Sequence, residues 1–448
     1  MIKRLKIIDL FERFNYDIDL NKELIILTGP NGYGKSTILK IILAINKGNF
    51  EYFRRLTFKK IEIEFNNYEG KITLEKNDSR SDTNLKINGV EFKEYINGVE
   101  FKEYINIINK IRPTKYMNIG ITDEIDRIID FQNIDYARKF FKSKIYHDRI
   151  KYIGEEEEKN LLVDYINLLS RSKKSLTKAK AKEKIKLKDA IETLENTKEE
   201  IYFIKEQRMF KNIDNEKVVE LIEDIPKRIK ERINEISQIY SKKANMIDST
   251  YPLRLFNTLQ GITEEEYDTK LEEIMEKFEK LNDYDISDIN IIDTNVKFKE
   301  EHSKALKVYF DDFDDKYKVY EEDINKFDSF KKIINNKLSF KEIKISKGTG
   351  LSVLNHNGNE IKLSMLSSGE KQQIVLYYNL IFELEDKTVL MIDEPEISLH
   401  IIWQQDFMDD LLKVIKDKNI KVIVATHSPQ ILSSYWDNQI DLGELYGE

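Results

Sequence analysis

Gly29-Pro30-Asn31-Gly32-Tyr33-Gly34-Lys35-Ser36-Thr37 decides how the rest of this 448-residue sequence is read. It follows an apolar run, Leu24-Ile25-Ile26-Leu27, and precedes a helix-like stretch starting near Lys35, so a strand feeds a glycine-rich turn that feeds a helix. The pattern is G-x-x-x-x-G-K-[ST]. Gly29, Gly32 and Gly34 allow the backbone to wrap a phosphate closely, and successive amide N–H groups at a helix N-terminus form an anion nest that takes in Asn31 and Thr37. Lys35 is placed to neutralise the outer phosphates of a nucleotide, and Ser36 to ligate Mg2+.

Far downstream, Val389-Leu390-Met391-Ile392 is a continuous apolar run that ends in Asp393-Glu394. Such a run is expected of a strand buried on both faces of a mainly parallel sheet. Asp393 at its end suits Mg2+, because a hard cation wants oxygen ligands. Glu394, one residue on, is placed to polarise an attacking water. Adjacent acids are weak signals in a chain with 81 of them; the buried strand and the upstream phosphate loop give these two their weight.

Three further pieces flank the acidic strand. Leu366-Ser367-Ser368-Gly369-Glu370-Lys371-Gln372 precedes it, Glu396-Ile397-Ser398-Leu399-His400 follows it, and Thr426-His427-Ser428-Pro429 ends the next apolar run, Val422-Ile423-Val424-Ala425. This order resembles the ATP-binding-cassette type of ATPase: phosphate loop, signature loop, acidic strand, D-loop and switch histidine. Glu370 after Ser-Gly, and a head split by a helical insert, resemble the branch that contains SMC and related DNA-repair ATPases. The resemblance covers both ends of the chain, about half of it, and leaves out the middle.

What the resemblance implies is specific. ATP, with Mg2+, is sandwiched between two copies arranged head to tail. Ser367 and the backbone at Gly369 contact the γ-phosphate bound by the other copy, although Ser368 stands where the usual Ser-Gly-Gly has its first glycine. His427 senses the γ-phosphate, and Gln207, after the β-like segment Ile201-Tyr202-Phe203-Ile204, is the magnesium-sensing glutamine. The expected fold class is α/β, a P-loop ABC-type ATPase head split by a large helical insert of short coiled coil or bundle. Residues 1–120, 199–212 and 338–448 form the head, and 121–198 with 213–337 form the insert.

Among such ATPases, the run Asp393-Glu394-Pro395-Glu396-Ile397-Ser398-Leu399-His400 and the segment Ala425-Thr426-His427-Ser428-Pro429-Gln430 resemble the stand-alone ATPases of two-component phage-defence systems. The PARIS ATPases, partnered by a TOPRIM-type nuclease, are favoured over the Septu ATPases, partnered by an HNH nuclease. The chain ends soon after His427, and its histidines are scattered, so the nuclease is expected to be a separate subunit. The resemblance further implies a higher homo-oligomer and a phage-encoded trigger protein. The rival reading is an SMC-like DNA-repair or recombination-mediator ATPase that clamps DNA. For it speaks the basic run from Arg171 to Lys188, which could neutralise phosphates; the plain reading of the run is a solvated helix face, and a dock for an acidic, DNA-mimicking phage protein is a third.

Between roughly 121 and 337 glycine and proline nearly vanish, and apolar residues fall at three-and-four spacing: Ile229, Ile233, Ile236, Tyr240, then Leu271, Ile274, Phe278, Leu281. Pro226 and Pro252 interrupt this region, which predicts helical hairpins of modest length. Asp311 to Asp315, without a turn glycine or spaced ligands, reads as a loop or helix face and not as a metal site. Residues 87 to 95 are repeated perfectly at 96 to 104, and the Asn-Gly in each copy signals a hairpin turn. Composition bounds the rest. Hydrophobic residues at 40% and charged residues at 34% exclude a disordered chain, and no apolar run approaches the roughly 18 residues of a membrane helix. A net charge of −8 argues against nonspecific polyanion binding by the whole molecule. Zero cysteines rule out disulfides and thiolate sites, and fit a cytoplasmic protein without a signal peptide.

Overall fold

The computed structural model describes residues 2–47, 49, 51–66, 68–76, 83–87, 90–91, 199–205, 210–214, 217–287, 298–397, 399–416 and 418–447. Gln207, the Arg171 to Lys188 run, the second copy of the nine-residue repeat and the 121–198 part of the expected insert lie outside them. The chain forms two compact units, Met1–Ile201 with Ile440–Glu448, and Tyr202–Gln439.

The first unit is built on alternating strands. β1 (Ile2–Leu10), β2 (Phe14–Asp19), β4 (Lys60–Phe65), β5 (Tyr68–Lys76), β6 (Thr83–Ile87) and β7 (Val90–Glu91) form one sheet in the order β2-β1-β4-β5-β6-β7, while β3 (Leu24–Thr28) stands apart from it. Leu5 pairs with Ile18 on one side and Ile63 on the other, and all three are fully buried. Charged partners line alternate positions: Glu62 bridges Lys60 and Lys71 at 2.8 Å each. Ile87 pairs with Val90 and Lys86 with Glu91, antiparallel, while the Asn-Gly between them lies outside the described residues. The helix α1 (Lys35–Asn46) follows β3, and the short α2 (Glu51–Arg55) follows α1. Ile38, Leu39, Ile41 and Ile42 of α1 are buried, and Asn46 ties its end to Glu199 through two hydrogen bonds of 2.7 and 2.8 Å.

β8 (Glu200–Ile204) lies beside a later strand, and among the described residues β9 (Phe210–Asp214) and β10 (Lys217–Glu220) of the second unit pair with each other. Three long helices follow, α3 (Leu221–Asn257), α4 (Glu264–Asp283) and α5 (Ser303–Asn335). The predicted seams are their contacts. Ile229, Ile233 and Ile236 of α3 are buried, Tyr240 stacks on Tyr320 at 4.9 Å, and Ile274 joins Tyr267, Ile262 and Phe310 in one cluster.

The lengths differ from expectation. α3 runs 37 residues with both Pro226 and Pro252 inside it, roughly 55 Å at 1.5 Å per residue. Each proline falls near an end, where it removes one ladder bond. Around Pro252, side chains feed the preceding carbonyls: Thr250 Oγ1 and an Arg254 amino group donate to Ile247 O at 3.0 and 2.6 Å. Packing of the apolar seam outweighs a local penalty of about 3 kcal/mol per proline.

β11 (Lys341–Ser346), β12 (Gly350–Asn355) and β13 (Glu360–Ile361) make an antiparallel sheet. The helix α6 (Ser368–Tyr378) leads to β14 (Thr388–Asp393), then α7 (Ile401–Ile415), β15 (Lys421–Ala425) and α8 (Pro429–Leu432). β14 and β15 are parallel, in register from Val389 opposite Lys421 to Asp393 opposite Ala425, and every residue of both is buried. β8 flanks β14, so the β-like segment ahead of the three long helices joins this sheet. The chain ends in the first unit with β16 (Gln439–Asp441), beside β3, and α9 (Leu442–Gly447). No helix among the described residues is long and apolar enough to cross a membrane.

Candidate functional site

The Gly29–Thr37 turn is held from below by aromatic packing and by its own lysine. Tyr16 Oη donates to Tyr33 O at 2.7 Å, and the Tyr33 ring packs on Phe14 at 5.0 Å and Tyr446 at 6.0 Å. Lys35 is only 5% exposed, and its Nζ reaches back to Gly29 O at 2.9 Å and Pro30 O at 3.4 Å. Gly34 stands at the start of α1 with φ 86°, and a Cβ there would lie 3.1 Å from Leu10 Cδ2. Only glycine meets both conditions without strain. Because Gly34 has no side chain, nothing caps α1 from that position, and the helix start is suited to an anion. Asn31 and Gly32 are exposed, and Ser36 and Thr37 are half-buried in the first turn.

The second unit brings Asp393, Glu394 and His427 to the same ends of β14 and β15. Asp393 is 3% exposed at the last position of β14. Glu394 then turns sharply: its φ is 47°, a left-handed conformation that costs a non-glycine residue about 1–2 kcal/mol, and its N–H donates to Ala425 O at 2.8 Å. His427 Nδ1 lies 2.5 Å from Glu394 Oε2 and 3.1 Å from Glu396 Oε1. Burial, and after it the neighbouring Glu396, push the Glu394 carboxyl up to about 7, against the opposing pull of His427. The three side chains hold ligand-type atoms within 4.8 Å of one another, a closeness that the hydrogen bonds among them explain.

Ser367 and Gly369 lie at the N-terminus of α6. Ser367 is the N-cap: it accepts from Glu370 N at 3.3 Å, while its N–H and hydroxyl donate to Glu370 Oε2 at 2.9 and 3.0 Å. Lys341 Nζ grips both Glu370 oxygens at 2.8 and 3.0 Å. Burial works to raise the Glu370 carboxyl, but the bonds from Lys341 and Ser367 outweigh it and hold it below the usual carboxylate range. Ser367 and Ser368 remain exposed at the surface of the unit.

A family described as AAA ATPase domain matches residues 1–432. The chain belongs to that family. It is an ATPase with an α/β fold. Among curated proteins, this ATPase is 27% identical over 150 residues to the retron Ec83 probable ATPase of Escherichia coli, covering 31% of this chain and 27% of that protein. It is 31% identical over 113 residues to the retron Vc95 probable ATPase of Vibrio cholerae, covering 22% of each. The chain thus spans about a quarter of the length of these relatives. Among solved structures, an Smc head bound to the C-winged helix domain of ScpA is similar with a TM-score of 0.39 and 11% identity, over 98% of this chain and 94% of that one.

Two residues of the ATPase escaped the sequence reading. Glu396 stood in the D-loop stretch without a role, although an acid two positions after Glu394 and a hydroxyl beside His427 were both in view. Lys341 carried no local signal at all, because it meets Glu370 only through an ion pair between residues 29 positions apart. Asp311 to Asp315 lie on the helix α5, where Asp312 pairs with Arg254, and Asp314 with Lys270 and Lys277.

Proposed function

We propose that this ATPase is the nucleotide-driven switch subunit of a defence system, assembling head to tail and holding a separate nuclease subunit, of TOPRIM or HNH type, until a phage-encoded trigger arrives. Similarity to two retron ATPases supports the reading as a defence-associated ATPase. The observation that carries the chemistry is the 2.5 Å contact between His427 and Glu394 at the end of a fully buried strand pair.

In this reading Gly29, Asn31, Gly32, Gly34, Lys35, Ser36 and Thr37 bind the phosphates of ATP. Ser36 and Asp393, with Gln207, are the oxygen donors assigned to Mg2+; hydroxyl, carboxylate and amide oxygens fit a hard cation. Bound Mg2+ supplies charge neutralisation at the outer phosphates. Glu394, raised towards neutrality, accepts the proton of the attacking water, and His427 contacts the γ-phosphate while steadying Glu394. Ser367 and Gly369 close the site of a second copy, which requires them to be exposed, as Ser367 is. To reach that phosphate, the Ser367 hydroxyl exchanges its donor bond from Glu370 to the nucleotide. Loss of the bridging phosphate on hydrolysis then loosens the pair.

The test is a pair of variants. Glu394→Gln should bind ATP, fail to turn over and accumulate as a larger assembly by native mass measurement, whereas Lys35→Ala should lose nucleotide. Turnover of Glu394→Gln at the wild-type rate would remove the assigned base. ATP-dependent clamping of DNA by Glu394→Gln, with no nuclease co-purifying from the native host, would favour the SMC-like repair ATPase instead.

A further inference from the structure

Glu396 is 6% exposed, deep for a carboxylate, and its contacts are unusual in number and in where they go. Its Oε1 accepts from Thr426 Oγ1 at 2.6 Å, from His427 N at 2.7 Å and from Ser428 N at 3.1 Å. The same oxygen lies 3.1 Å from His427 Nδ1. Every one of these groups belongs to the loop that leaves β15. One carboxylate oxygen, carried on the turn after β14, therefore gathers the hydroxyl, main chain and ring of the neighbouring strand's exit. Its other oxygen, Oε2, is buried and has no partner among the described residues. Such an arrangement costs stability, since a buried carboxylate oxygen gives up its hydration without replacement.

The loop is braced at its margins as well. Ser428 N also reaches Thr426 Oγ1 at 3.0 Å, and Ser428 Oγ donates to Gln404 Oε1 at 2.6 Å. The backbone alone would thus stay near its path. The ring of His427 is different. It is 48% exposed, and Glu394 and Glu396 are its only partners among the described residues, both at Nδ1. With Nδ1 facing two carboxylates, the proton on that nitrogen and the orientation of the ring are settled together, and Nε2 is the atom left to meet a ligand.

We propose that Glu396 is a positioning residue for His427: through one oxygen it sets the main chain at 427 and the face of the imidazole, so that Nδ1 serves Glu394 and Nε2 is presented outward. Its hydrogen bonds act through His427 and the loop that carries it, while its charge also bears on Glu394. This rests on the reading of His427 as the residue that meets the γ-phosphate.

A double-mutant cycle on the full chain tests the proposal, using steady-state ATP turnover of wild type, Glu396→Gln, Glu396→Ala, His427→Ala and the two double variants. Glu396→Ala is expected to lower kcat about tenfold to a hundredfold, the usual cost of losing an orienting partner, with KM for ATP changed far less. Glu396→Gln keeps an acceptor oxygen for Thr426, His427 and Ser428, so it should fold and recover part of the loss. In the His427→Ala background either change at 396 should cost at least about fivefold less than it does beside His427, the remainder being its direct effect on Glu394. Equal losses in both backgrounds would overturn the proposal and leave Glu396 a structural acceptor. Wild-type turnover by His427→Ala would instead overturn the assignment of His427 on which it depends. If Glu396→Ala does not fold, the cycle with Glu396→Gln and Thr426→Val carries the same comparison.

Discussion

Lys341→Met tests whether the start of α6 is organised from β11. The substitution keeps most of the lysine stem and removes an ammonium that holds both Glu370 oxygens at 2.8 and 3.0 Å. Glu370 is 9% exposed and the Lys341 side chain 27%, so the pair is partly screened and falls short of the 3–5 kcal/mol of a fully buried one. Ser367 continues to donate two bonds to Glu370, which limits the damage further. The expected cost is about 1–2 kcal/mol at pH 7. Its pH dependence follows from Glu370, whose folded pKa lies below the ordinary 4.5. A depressed carboxylate contributes stability that is complete well above 4.5 and is lost as the pH falls through its lower, folded value. Wild type and Lys341→Met should therefore converge below pH 4.5. The assay is urea unfolding followed by tryptophan fluorescence and by circular dichroism at several pH values, with midpoints compared at matched slopes. A difference that is constant from pH 7 down to the acid limit would refute the reasoning, since the ion pair could not then be its source.

Other outcomes follow from single positions. Gly350→Ala should lower the unfolding free energy by about 3 kcal/mol or more, because φ is 74° and a Cβ would fall 1.8 Å from Pro226 O, a backbone atom that cannot swing aside; a well-folded variant with unchanged thermal melting would contradict the packing of β12 on α3. Gln373→Met should raise stability by about 1–2 kcal/mol, since the amide is 1% exposed with neither of its polar atoms partnered among the described residues, and a thermal melt that drops would show a hidden partner. Ser367→Ala should cost about 1 kcal/mol through loss of the capping box, readable by denaturation without nucleotide; a loss of ATP-driven assembly beyond that cost would mark the hydroxyl as a contact to a second copy.

Much of the architecture was legible because its signals are local. A glycine-lysine turn between an apolar strand and a helix needs no tertiary information, and β3, the turn and α1 fall where that pattern puts them. The same holds for β14 and β15, whose unbroken apolar runs match strands buried on both faces. The helical seams were readable too, because their spacing is a property of one helix at a time. Helix length was not. Proline at 226 and 252 argues for breaks by local rules, and the 37-residue α3 forms because a long seam against its neighbours outweighs two local penalties.

The amino-acid sequence by itself determined the chemistry on offer: a phosphate-binding turn, a carboxylate pair at the end of a buried strand, and a histidine at the end of the next. Those choices are written in residue type and spacing, which act over a few bonds. Only the tertiary structure decided how they are held. Glu396 gathers the 426–428 loop and Lys341 grips the cap of α6, and both partnerships join residues about thirty positions apart. Contacts of that kind depend on which strands lie side by side, and the free energy that selects them comes from burying β14, β15 and the helices around them, not from the charged residues that end up paired.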